Sequence, residues 1–407
     1  MRPVAAAARR TLVLTLALIV GVFGGAALGS VVQGDPGGVR VDPADLAPTG
    51  PDVETPPELE PVIPDTLLAW IPGGLPTGFA SRVAALPGVR RVVPVVSGIA
   101  WMTRSVTSGG AIVDDPGGGR ALPLEVAAAT LTDYAPFLAP ADRSLIPRLA
   151  AGEAALGSTS AEIRRIDVGG TLEMGPDELL VAGVLPDTAI GAHELFVSRA
   201  TASSLGLTRE RYVLIDPADG ASREAITAGI RATLPAGALI QIRGPGETPF
   251  FRQGDAVLPQ VQMKLLLGEF SARPVGGYLD ADPAWTGKSI VTTNVPLLGT
   301  VRCNRALIPQ LTGALLELQR EGLGHLVNPG HYGGCFSARF INRNPAAGIS
   351  HHSWGAAIDI NVAENPFGHT PHQDPRLVAI FERWGFTWGG RWILPDGMHF
   401  EFVRFAP

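Results

Sequence analysis

Four side chains near the C-terminus carry the chemistry that this sequence can offer. His352 and Asp359 lie in Ser350-His-His-Ser-Trp-Gly-Ala-Ala-Ile-Asp359, and Asp396 and His399 lie in Asp396-Gly-Met-His399-Phe-Glu401. Two imidazoles and a carboxylate, His352, Asp359 and His399, make a ligand set for catalytic Zn2+, which takes three protein ligands and leaves a position open. Zinc lowers the pKa of bound water to about 7, so a nearby carboxylate can take its proton. Asp396 reads as that general base, because a short turn before His399 would bring it within reach.

These side chains need rigid support. Ile358–Asn361 reads as a strand that would hold Asp359. Gly355 and Ala357 would let backbones pack close to the metal. His351 abuts His352, and neighbours on a strand face opposite ways, so one of the two reaches the metal. His369 and His372 share a Pro-bearing loop that gives their spacing no fixed geometry. Asp374-Pro375 reads as an N-cap with Pro in the first helical position, opening a helix to Trp384 that Gly385 ends. Asn304–Glu321 carries Leu307, Leu311, Leu315, Leu316 and Leu318 at helical spacing, with Gly322 as its stop. Ser289–Thr293 reads as a strand. Ser350 either contacts substrate or ends a turn, and Glu401 reads as a residue that orients a ligand. Trp354 and Trp388 line a cleft or fill a core.

Here a resemblance becomes specific. Ser350, His352, Gly355, Ala357 and Asp359 match S-x-H-x-x-G-x-A-x-D, and Asp396 and His399 match a terminal [D/E]-x-x-H. From about residue 285 to 407 the chain resembles the zinc peptidases of the D-alanyl-D-alanine carboxypeptidase and L-alanyl-D-glutamate peptidase family, VanY-like and phage endolysin-like members included. The resemblance implies that His352, not His351, is the ligand, and that the substrate is a peptidoglycan stem peptide. It also implies that Arg339 polarises the scissile carbonyl, with Arg343 as the competing candidate. Asp396 stands where some members carry Glu, and Arg391 stands where relatives often have an acidic residue.

The region before the site shows no catalytic constellation. Thr66–Ile71 reads as a strand, Phe79–Leu86 as a helix, and Val89–Met102 as one or two strands. Tyr212–Asp216, Ser222–Leu234 and Ala238–Arg243 repeat that pattern. Two such units suggest a split β-α-β domain. Between them, Gly152–Ala161, Ile166–Gly170 and strands at Thr171–Met174 and Glu178–Val184 resemble the periplasmic core of MacB-like and FtsX-like membrane proteins. That likeness implies a binding or spacing module. His193 reads as an ordinary polar residue. Val257–Phe270 reads as an apolar helix followed by a Pro- and Gly-bearing loop.

At the N-terminus Arg2, Arg9 and Arg10 precede an apolar run from Thr11 to about Val32, long enough to span a bilayer. The run is longer than an ordinary signal core, so residues 1–33 read as a retained anchor, with secretion after signal cleavage as the alternative. The bulk of the chain then lies outside the cytoplasm. Residues 34–64 are dense in Pro, Gly and acidic residues and read as a linker. In such a compartment Cys303 and Cys335 would form one disulfide, against the alternative of two buried thiols. The net charge is −6. With no basic cluster, the sequence excludes a nucleic-acid partner.

The expected fold is therefore α+β: an anchor, a linker, an α+β extracytoplasmic domain over 65–250, and a peptidase domain over 285–407 with a small antiparallel sheet and flanking helices. The expected function is zinc-dependent hydrolysis of peptidoglycan stem peptides. The expected associations are the cytoplasmic membrane, through the N-terminal helix, and a cell-envelope protein at the middle domain. The rival is a non-catalytic, zinc-containing adaptor module, which would have little need of a base such as Asp396.

Overall fold

The computed structural model describes residues 65–255 and 258–406. The expected anchor (1–33) and linker (34–64) lie outside the described residues. Among those described, no helix is long and apolar enough to cross a membrane.

The two repeated units interlock. The first is strand Leu67–Trp70, helix Phe79–Ala84 and strand Val89–Met102; the second is strand Glu210–Pro217, helix Arg223–Ala232 and strand Gln241–Arg243. Their strands lie in the order 241–243, 67–70, 210–217, 89–102, every neighbour antiparallel. A strand of the other unit therefore separates the two strands of each. Strand periodicity divides the burial. Leu67 and Ala69 face the helices through Phe79, Val83, Ile226 and Ile230, while Leu68 and Trp70 enter a second core on the opposite face. Both faces are covered, which is why Leu67–Trp70 is apolar throughout. Ser222 Oγ caps the second helix by accepting from Ala225 N at 3.1 Å.

The sheet continues through strands 122–129, 195–198, 154–157, 177–185, 171–174, 104–106 and 112–114. Two neighbouring pairs in this part are parallel, 126–129 with 195–198 and 154–157 with 181–185.

Helix Gln260–Leu267 joins this sheet to the C-terminal part. The sequence reads it as apolar, yet Gln260 and Lys264 are among its buried residues. Met263 and Leu267 enter a core with Trp354 and Phe402. The loop expected after it contains a hairpin, Ala272–Val275 against Tyr278–Ala281.

Four elements then frame the site. Ile290–Val295 and Gly299–Asn304 form a hairpin. Helix Ile308–Arg320 follows a short 3-10 turn whose start is capped by Asn304. In the antiparallel three-stranded sheet, His399–Phe402 lies between Ala357–Asp359 and Phe386–Trp388. Helix Pro375–Arg383 opens as expected, Asp374 Oδ1 accepting from Arg376 N at 2.8 Å, and it buries Leu377, Val378, Ile380 and Phe381.

Candidate metal centre

The short sheet does most of the assembly. Asp359 and His399 are cross-strand partners, as are Ala357 and Glu401. Because side chains alternate along a strand, Asp359, His399 and Glu401 share one face. Asp359 Oδ1 lies 2.9 Å from His399 Nδ1, and Glu401 Oε2 lies 3.2 Å from His399 Nε2.

His352 arrives by a different device. Residues His351–Trp354 form a 3-10 turn, not the strand that the sequence suggests. Ser350 Oγ caps the turn by accepting from His352 N at 3.4 Å, and Gly355 ends it at φ 63°. With three residues per turn, successive side chains diverge by about 120°. His351 turns to Glu401, its Nδ1 2.8 Å from Oε2, while His352 Nε2 comes within 3.2 Å of Asp359 Oδ2. Gly355 is needed for close packing, though not against the metal. A Cβ there would stand 2.6 Å from Asn304 N.

His352, Asp359 and His399 each present a ligand atom, and these atoms lie within 4.8 Å of one another. His369 and His372 are not in that group. His352 Nδ1 donates to Cys335 O at 2.7 Å, which fixes the tautomer and leaves a lone pair on Nε2. That Nε2 is buried and finds no hydrogen-bond donor, because the Asp359 oxygen 3.2 Å away is an acceptor too. A buried acceptor without a donor is costly, and a cation at the focus of the three side chains would satisfy it.

The electrostatics point the same way. Burial alone would raise the Asp359 carboxyl, but its contacts with His352 and His399 hold it far below the usual carboxylate range. Glu401 is held down likewise, against burial, by His351 and His399. Burial would lower His399, yet Asp359 and Glu401 push it up to about 10. The buried carboxylates thus call for positive charge, and a metal ion supplies it as well as a proton does. The residues fit a zinc ligand set.

Asp396 stands beside this group. Its backbone carbonyl accepts from His399 N at 3.2 Å, closing the short turn that the sequence suggests. Its Oδ1 is buried without a partner, and burial pushes the carboxyl up to about 6, against the pull of the His399 charge. Arg339 is half-buried, with its charge in reach of Asp359 and Asp396. Its competitor Arg343 lies over the Tyr278 ring, 5.5 Å from the centroid. Trp354 is core, its Nε1 donating to Gly268 O. Trp388 Nε1 donates to Gly397 O at 2.8 Å, bracing the loop before His399.

Two contributors escape the sequence reading. One is the Cys335 carbonyl that orients His352, since a backbone acceptor leaves no mark on residue type. The other is His351 as a partner of Glu401; its adjacency to His352 is visible, but its direction depends on the 3-10 turn.

Cys303 and Cys335 form a disulfide, with Cα atoms 5.3 Å apart. It ties the hairpin strand Gly299–Asn304 to the segment whose carbonyl holds His352. The closed loop spans a sequence separation of 32, for which loop entropy predicts a stabilisation of roughly 3–4 kcal/mol. Denaturant titration of a Cys303→Ser/Cys335→Ser double variant is expected to show a loss of that size. Zinc affinity, read by chelator competition, should fall with it.

Residues 343–402 match a family model described as D-alanyl-D-alanine carboxypeptidase. No curated protein matches the chain. Among solved structures, the periplasmic region of MacB from Actinobacillus actinomycetemcomitans is similar at 12% identity with a TM-score of 0.31, covering 45% of this chain and 91% of its own. The extracellular domain of the noncanonic ABC-type transporter YknZ from Gram-positive bacteria is similar at 13% identity with a TM-score of 0.28, covering 44% of this chain and 100% of its own.

Proposed function

We propose that the protein is an extracytoplasmic zinc peptidase that hydrolyses a peptide bond in the stem peptides of peptidoglycan. The observation that carries this reading is the convergence of His352, Asp359 and His399 within 4.8 Å, with the buried His352 Nε2 facing a carboxylate oxygen and no donor. The match of residues 343–402 to a carboxypeptidase family model supports the reaction class. The peptidoglycan substrate follows from that likeness and from the expected compartment.

In this reading His352, Asp359 and His399 hold the ion, and Glu401 orients His399 by accepting from its Nε2. Zinc, when bound, supplies Lewis acidity, polarising a carbonyl and lowering the pKa of water. Asp396 takes the proton that water gives up as it attacks the carbonyl carbon. It returns that proton to the amine nitrogen as the C–N bond breaks. Arg339 offsets the negative charge that gathers on the carbonyl oxygen. The disulfide supports an oxidising compartment. We place the chain on the outer side of the cytoplasmic membrane, held by residues 1–33, with an envelope protein as partner of the middle region.

The test is a digest of purified stem peptides with the whole chain, with and without a zinc chelator. The whole chain is required because Trp354 depends on Gly268, which lies before the expected peptidase domain. Release of a terminal D-amino acid or a stem fragment, abolished by the chelator and restored by zinc, is the expected result. Zinc binding with no fragment released would favour the adaptor reading.

A further inference from the structure

Among the described residues, the loop that carries Asp396 has one hydrogen bond toward the large sheet, to the carboxylate of Asp255. Between strands Phe386–Trp388 and His399–Phe402, residues 389–398 bring Trp392 to 5.2 Å from the His399 ring and Asp396 to the edge of the site. Inside the loop, Gly389 O accepts from Trp392 N at 3.1 Å and from Asp396 N at 2.9 Å. A Cβ on Gly389 would stand 2.8 Å from Asp396 O, so the loop has no slack at that point.

Ile360 N donates to Met398 O at 2.9 Å and Arg391 pairs with Glu382; two further bonds hold the middle of the loop. Gly368 N donates to Pro395 O at 2.7 Å. Ile393 N donates to Asp255 Oδ1 at 2.9 Å. Asp255 belongs to a strap, residues 250–255, that is itself anchored on the large sheet. Arg252 makes two bonds to Glu125, at 2.9 and 2.7 Å, and Gln253 Nε2 donates to Ser97 Oγ at 3.0 Å. Arg243 donates to Gly254 O. Phe251 and Ile393 both pack against the core that holds Leu68, Trp70 and Tyr212. Asp255 also lies in electrostatic reach of Arg243 and of Glu401, the partner of His399.

We propose that Asp255 is a positioning residue for the Asp396 loop, and that the strap couples the middle region to the metal centre. An event that moves strands 89–102 or 122–129 moves Ser97 and Glu125, and through Arg252, Gln253 and Asp255 it moves Ile393 and Asp396. The middle region thereby becomes a regulator of the proposed reaction as well as a spacer. This rests on the reading of Asp396 as the base, and its test separates the two.

The experiment compares Asp255→Ala, which removes the acceptor, with Asp255→Asn, which keeps a carbonyl oxygen in its place. Both are made in the whole chain. Amide hydrogen exchange over residues 389–398 reports the loop directly, and kcat and KM for stem-peptide hydrolysis report its consequence. A hydrogen bond to a charged acceptor is strong enough that its loss should speed exchange in the loop by about tenfold or more. With Asp255→Ala, exchange rises by that amount, kcat falls about tenfold and KM stays within about twofold; Asp255→Asn restores most of both. Exchange unchanged in Asp255→Ala overturns the proposal. So does an Asp255→Asn variant as impaired as Asp255→Ala, because charge near Glu401, and not the bond to Ile393, would then be the cause. If exchange responds while the wild-type chain cleaves no peptide, the strap stands and the peptidase reading falls.

Discussion

Asp396→Asn is expected to lower the turnover of stem peptides by about 10²–10⁴-fold while the metal stays bound. The reason lies in how Asp396 is held. The bond that fixes its place near the site runs from His399 N to the Asp396 backbone carbonyl, and Asn keeps it. The side chain is isosteric, so the loop need not move. Only the ability of the buried Oδ1 to take a proton is lost. The ligand atoms of His352, Asp359 and His399 lie within 4.8 Å of one another without Asp396. Metal content should therefore match the wild type, whereas His352→Ala should lose metal and turnover together. The measurement is kcat/KM beside the zinc stoichiometry of the same preparation. Loss of zinc in Asp396→Asn would show that Asp396 is a ligand and that the base must be sought elsewhere.

That prediction was accessible from sequence because the candidate residues fall in two short segments. His399 and Glu401 share a face through strand alternation, which the sequence displays as spacing, and Asp359 joins them through the register of the neighbouring strand. Asp374-Pro375 marks a helix start by chemistry that acts over two residues, and the cap forms as read. The two cysteines could pair only with each other. What stayed hidden depends on backbone conformation or on contacts between distant segments. For His351 and His352 the sequence suggests strand neighbours. The capped 3-10 turn separates them instead, and it turns on a left-handed glycine that the sequence alone does not place. For Gly355 the sequence suggests close packing at the metal; the room is needed by Asn304, in a hairpin far back in the chain. The strap at 250–255 had no pattern to find, because its meaning lies in Glu125 and Ile393, each more than a hundred residues away. Lys264 illustrates the same limit from the other side. A lone lysine in an apolar stretch carries no sign of its burial, since burying its charge is costly without a partner and the partners are distant in sequence.

Lys264 has partners, and its replacement carries the other large expected effect. Its ammonium lies 2.6 Å from Glu194 Oε1, Glu269 Oε1 and Pro123 O. Arg164 joins both carboxylates, at 3.2 Å to Glu194 Oε1 and 2.5 Å to Glu269 Oε1, and Gln260 Nε2 donates to Glu194 Oε2 at 2.7 Å. The side chains of Arg164, Glu194 and Lys264 are fully buried. Breaking such a network by removing one member leaves an uncompensated buried charge, which costs about 3–5 kcal/mol. Lys264→Met, which keeps the length of the side chain, is therefore expected to destabilise the chain by that amount in denaturant titration. A loss below about 1 kcal/mol would mean that Arg164 alone satisfies both carboxylates. The same cluster gives the chain an acid limit. Burial would raise the Glu269 carboxyl, but Lys264 and Arg164 outweigh it and hold it at about 2, below the ordinary 4.5. A carboxyl depressed in the folded state contributes stability above its unfolded pKa, and that contribution is lost as pH falls through the folded one. Stability should thus decline from about pH 4.5 toward pH 2, and the decline should be shallower in Glu269→Gln. The loss would reach the metal centre through helix Gln260–Leu267, since Lys264 fastens it to the large sheet while the neighbouring Met263 and Leu267 enter the core with Trp354, at the end of the turn that delivers His352.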